Sequence, residues 1–217
     1  MGRPRLSVRR LLLVGVIVLI TILAVSVYIA SKPSQPTEAL PTMTTIAFDF
    51  DTGAPPLGAT HVTPFNQTLK GLTARFSSPS DPAAFSVKSN DAESLKLSQF
   101  SGKYVYDNKP TRDILDVKFS GEIIAVKLTF ATIEQQSGAV TLPSDILLIA
   151  YKNTNLVSSN TTYGSFSSDS FPQGMLFFSA GMPFNWIRIS IPSQTSGTTD
   201  FLVDNIIVTT ISKLSTP

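Results

Sequence analysis

The chain has no cysteine, one histidine and one tryptophan among its 217 residues. Without thiols there can be no disulfide framework and no thiolate chemistry. A zinc site lacks ligands, since His61 is the sole imidazole. A Ser-His-Asp triad would have to use that same residue, in a turn-rich segment before Pro64, and no nucleophile-elbow pattern accompanies it. A phosphate-cradling glycine loop, an EF-hand loop and an internal repeat are also missing. Residues 33–217 contain no basic stripe with interleaved aromatics, so nothing there points to nucleic acid. The formal charge of +2 hides an asymmetry. Five of the seventeen Lys and Arg (Arg3, Arg5, Arg9, Arg10 and Lys32) lie in residues 1–32, which leaves twelve against fifteen acids, or −3, for the remainder.

One long hydrophobic run is present. Leu11 to Ile29 carries no charge, amide or proline. As a helix it would reach roughly 28 Å, close to the hydrocarbon thickness of a bilayer. Four arginines precede it and only Lys32 follows closely, so the positive-inside rule predicts a cytoplasmic N-terminus and an extracytoplasmic remainder. The run is longer than the apolar core of a cleaved signal peptide, and Ala24-Val25-Ser26 is a poor cleavage site, so an uncleaved signal-anchor is expected. The expected organisation is a cytoplasmic basic segment (1–10), a transmembrane helix (11–30), a Pro-rich linker (31–43), a β-sandwich domain (44–211) and a tail (212–217). That makes a single-pass cell-membrane protein whose membrane partner is its own leader.

From Thr44 onward, short runs of β-branched and aromatic residues alternate with Gly, Pro, Asn, Asp and Ser. Strands are predicted at Thr45–Phe50, Leu72–Ser77, Ala84–Val87, Leu95–Leu97, Tyr104–Tyr106, Leu115–Phe119, Ile123–Phe130, Asp145–Tyr151, Leu156–Ser159, Met175–Ser179, Trp186–Ile191 and Phe201–Thr209. In the eleventh, Trp186, Arg188 and Ser190 oppose Ile187, Ile189 and Ile191, the period-two pattern of a strand with one buried and one wet face. No apolar stripe at helical spacing lasts three turns after residue 43. Many short strands imply an all-β sandwich or barrel.

Asp51-Thr52-Gly53, after a hydrophobic strand, resembles the aspartic peptidase signature. That chemistry needs two carboxylates sharing a proton. The chain has no second copy, so a peptidase would have to be a dimer using Asp51, and the plainer reading is a turn at a strand end. A glycosidase using unassigned carboxylates is the other hydrolase alternative.

The domain opens with Phe48-Asp49-Phe50-Asp51, continues through Gly71-Leu72-Thr73-Ala74-Arg75-Phe76 and closes with Phe201-Leu202-Val203-Asp204-Asn205-Ile206. Over roughly residues 44–210 this resembles the galactose-binding-like jelly rolls found among carbohydrate-binding modules. The resemblance implies a jelly-roll β-sandwich of two antiparallel sheets and non-catalytic binding of a glycan or a surface protein. It further implies a structural calcium ion between first and last strands, held by Asp49 or Asp51 with Asp204 and Asn205. Sugar binding needs aromatic platforms beside amide, carboxylate or Arg groups. Tyr104, Tyr106, Asp107 and Asn108 are the candidates, with Tyr163, Phe166 and Phe171 behind them. Trp186, between Asn185 and Ile187, reads as a core indole.

Overall fold

The computed structural model describes residues 41–52, 57, 61–89, 97–108, 112–134, 145–165, 171–192 and 198–212. The Leu11–Ile29 run, residues 31–40 of the linker, Gly53 and Phe166 lie outside these. Every regular element among the described residues is a strand, and none is a helix long and apolar enough to cross a membrane. The strands are β1 (Thr42–Phe48), β2 (Phe65–Leu69), β3 (Leu72–Ser77), β4 (Phe85–Ser89), β5 (Lys103–Asp107), β6 (Leu115–Glu134), β7 (Asp145–Lys152), β8 (Asn155–Tyr163), β9 (Gln173–Ser190) and β10 (Thr198–Ser212).

All pairings are antiparallel, in the order β4-β5-β10-β6-β9-β7-β8, with β1 beside β10, and β3 beside β6 carrying β2 on its far side. The expectation of two separate sheets needs amendment, because the hydrogen-bonded network is continuous. Residues 116–119 of β6 pair with β3 and 115–118 with the end of β9, whereas residues 125–131 pair with the start of β9 and 123–134 with β10. Register shifts between Lys118 and Ala125 mark the bend, where bulged residues let one strand leave one layer and enter the other. The predicted strands 115–119 and 123–130 are therefore one element, as are 175–179 and 186–191.

The strand missed from sequence is β2, whose Asn66, Gln67 and Thr68 disguise it. Its hairpin to β3 turns on Lys70 (φ 47°) and Gly71 (φ 80°), the two positive dihedrals of a tight two-residue turn. Leu97 of the predicted 95–97 strand sits in a turn instead.

Alternation delivers the core. Ile146, Leu148 and Ala150 of β7 and Ile187 and Ile189 of β9 are fully buried. Phenylalanines join the two layers: Phe48 lies 6.0 Å from Phe119, and Phe50 meets Phe76 edge-on at 5.4 Å. Each such ring contributes about 1.5–3 kcal/mol by leaving water. The result is an all-β sandwich whose layers share β6 and β9.

Candidate functional site

Tyr104 and Tyr106 lie on one face of β5, as the sequence implies, but that face is covered. Tyr104 is 1% exposed and meets Phe100 edge-on, within a second cluster formed with Leu97, Ala131 and Leu202. Tyr106 is half-buried under the Lys88 ammonium, 3.9 Å from the ring centroid. Its phenol pKa is raised by burial, then by Asp200 and Asp107. Asp107 is fully buried. Asn108 braces the β4–β5 end: its Oδ1 accepts from Ser86 Oγ (2.6 Å) and its Nδ2 donates to Ala83 O (3.2 Å). The four stand together but form no open platform, because the residues 97–100 turn covers the tyrosines. Tyr163 is exposed, and Phe171 packs partly buried against the small cluster.

The acidic residues of the end strands also come together. Asp49 Oδ1 accepts from Asp51 N (3.2 Å), Thr52 N (2.9 Å) and Thr52 Oγ1 (2.8 Å), so the Asp-Thr of the peptidase-like triplet forms a side-chain-capped turn. Asp51 Oδ2 accepts from Lys103 N (3.1 Å). Asp204 is fully buried at a bulge in β10, where Asn205 takes a φ of 50°. Its carboxylate accepts from Ser101 N (3.0 Å), Asn205 N (2.7 Å) and Asn205 Nδ2 (2.9 Å). Burial pushes its pKa up to about 6; the N–H donors of Ser101 and Asn205 oppose this, while the charges of Asp51 and Asp49 add to it. Asp51 and Asp204 thus grip alternate amides, 103 and 101, of one loop. Gly102 between them (φ 65°) lies so close to the Asp51 carboxylate that a Cβ would overlap it. As arranged, these oxygens serve N–H donors. Among the described residues no three His, Cys, Asp or Glu side chains converge as a metal would require. An ion bound by these oxygens would compete with the amide hydrogen bonds.

An open, chemically mixed surface lies elsewhere, on the outer face of the layer formed by β2, β3, the start of β6, the end of β9, β7 and β8. Successive cross-strand partners there are Asn66, Arg75, Lys118, Trp186, Tyr151 and Leu156. Six strands at about 4.8 Å spacing give a row of roughly 24 Å. Tyr151 stacks on Trp186 with centroids 4.4 Å apart and planes 25° from parallel. Lys118 Nζ stands 4.7 Å from the indole centroid and Arg188 Cζ 5.2 Å. Such a contact at an exposed site contributes about 0.5–1 kcal/mol. Two residues along, Arg188 forms a fork on Asp116, Nε to Oδ1 at 2.8 Å and Nη2 to Oδ2 at 3.0 Å, and that hydrogen bond raises the guanidinium pKa further. Beside Trp186, Asn153 N donates to Asn185 Oδ1 (2.7 Å) and Asn185 Nδ2 to Asn153 Oδ1 (3.0 Å). A hollow of about 290 Å³ opens there, lined by Lys118, Phe119, Asn153, Thr154, Asn185 and Trp186.

Trp186 is therefore not the core indole expected: it lies half-buried on the outer face, outside the core cluster. The sequence held the signal, since Ile187, Ile189 and Ile191 claim the inward face and Arg188 shares the opposite one with Trp186. Tyr151 and Lys118 carried no comparable mark, because the pairing that aligns them with Trp186 spans distant segments.

Neither a protein-family model nor a curated protein sequence matches the chain. Among solved structures it is similar to a family 29 carbohydrate-binding module (TM-score 0.36, 9% identity, 77% of this chain and 89% of that one). It is also similar to a cleaved adhesin domain of Lys-gingipain from Porphyromonas gingivalis W83 (0.43, 8%, 76% and 97%). A third is a family 27 carbohydrate-binding module described for specific mannan recognition (0.40, 8%, 79% and 98%). At these similarities, the ligands of those domains are properties of those domains, and the all-β character of the present chain rests on its own strands.

Proposed function

We propose that this chain is a non-catalytic carbohydrate-binding protein of jelly-roll type, held at the cell membrane by Leu11–Ile29 with its β-sandwich outside. The observation that carries the reading is the row through Lys118, Trp186 and Tyr151. It sets aromatic surface beside a fixed guanidinium–carboxylate pair and a reciprocal amide pair, the mixture that takes the apolar faces and hydroxyls of a sugar chain. Arg188 and Asp116 hold each other in place, so a hydroxyl meets groups already oriented, which lowers the ordering entropy of binding.

The test is a glycan array followed by calorimetry on the detergent-solubilised full chain. Trp186→Ala and Tyr151→Ala should each weaken binding about tenfold or more. Tyr163→Ala, exposed but off this row, serves as the control. Unchanged affinity in Trp186→Ala would rule this face out. Asp51→Asn should keep glycan affinity, whereas a peptidase would lose turnover. The anchor is tested by protease shaving of intact cells: the sandwich should be cleaved from outside, and its protection would place it in the cytosol.

A further inference from the structure

Arg75 and Lys118 are direct cross-strand partners on β3 and β6, and both are exposed. Like charges directly opposite on a sheet destabilise it. The neighbouring charges offer no relief: Asp116 is engaged by Arg188, and Glu122 by Lys152 at 2.8 Å. Among the described residues neither Arg75 nor Lys118 has an anionic partner. Lys118 instead rests over the Trp186 indole, a contact it can exchange for a stronger one. The doublet stands out in a region whose overall charge is −3.

We propose that this cationic doublet selects an acidic polysaccharide, one bearing repeated carboxylates or sulfate esters, over a neutral one. The inference rests on the carbohydrate reading above and adds the ligand's charge to it. Arg75 presents a planar fork that matches two oxygens of a carboxylate or sulfate, and Lys118 supplies a mobile point charge one strand away. An anionic group seated between them relieves their repulsion and draws Lys118 off the indole, so that its face opens to the adjoining sugar ring. The row extends over several strands, so a chain with repeated acidic groups fits it better than a single acidic sugar.

The experiment compares ligands that differ only in charge. Calorimetry on the full chain in neutral detergent uses an oligogalacturonide against its methyl ester, and a sulfated galactan against its desulfated form. Tighter binding of the acidic member by about tenfold or more, in either pair, is the expected result. That preference should shrink as salt rises from 0.05 to about 0.5 M, where exposed charges are screened. In Arg75→Gln and Lys118→Gln the acidic-to-neutral affinity ratio should fall toward one. Thermal melting shows whether the variants are folded, and removal of one like charge should hold or raise the midpoint. Equal affinity for both members of each pair, with both lost in Trp186→Ala, overturns the proposed charge selection and leaves the carbohydrate reading standing. Binding to neither member, acidic or neutral, in these pairs and on the array overturns both.

Discussion

Acidification should stabilise this protein. Asp204 and Asp200 both have carboxyl pKa values raised to about 6 from the ordinary 3.8, chiefly by burial, with Asp113 adding to the second. In the folded state each binds its proton more tightly than in the unfolded chain, so the sign is the reverse of the usual carboxylate case. The penalty is fully present above about pH 6, is relieved as pH falls through that value, and is gone below the unfolded value. Between pH 8 and pH 5 the linkage relation gives about 1.4 kcal/mol per group for full enclosure. Solvent screening near the loops halves this, so the pair together should contribute roughly 1.4 kcal/mol. For a domain of about 170 residues that corresponds to a midpoint about 3–6 °C higher at pH 5 than at pH 8. The assay is thermal denaturation of the full chain in a non-ionic detergent, followed by circular dichroism. Asp204→Asn and Asp200→Asn should each remove about half of the rise. A wild-type midpoint that is flat or falls toward pH 5 would refute the reasoning, as would a double variant that keeps the full dependence.

Gly102→Ala should destabilise by about 2 kcal/mol or more, because it adds a side chain at positive φ and drives it into the Asp51 carboxylate. Gly71→Ala should cost about 1 kcal/mol, since its positive φ is strained but nothing lies within 4 Å. Chemical denaturation that ranks these two the other way would discredit the loop clamp. Calcium is tested by melting with millimolar calcium and with chelator. Carboxylates occupied by amides predict an unchanged midpoint, whereas a rise of several degrees would show the ion displacing them.

The sheet content was legible because each core strand repeats apolar residues at period two, from Val117 and Phe119 to Ile187 and Ile189. What local patterning could not convey was continuity across bends: Gly121 and Pro183 interrupt the apolar pattern of β6 and β9 without interrupting the strands. β2 escaped because its outward residues are polar and its inward ones include Gln67. For the site, the nearness of Asp49, Asp51 and Asp204 was readable from the end-strand resemblance, but their engagement by the amides of Ser101, Lys103 and Asn205 was not. Tyr104 and Tyr106 were correctly set on one face, and the Leu97–Phe100 turn that covers them has no periodic signature. The Arg75–Lys118–Trp186–Tyr151 row depends on register between segments as far apart in the chain as those of Lys118 and Trp186, information that no single window contains.

Because β6 and β9 run through both layers, the domain has no seam along which one half could peel from the other. Such a lattice should yield all at once, and chain breaks inside those two strands should be tolerated far less than breaks at hairpin tips. The same indivisibility makes the outer row a stiff comb whose teeth keep the interstrand spacing whatever is attached, so a ligand must match that pitch or go unbound.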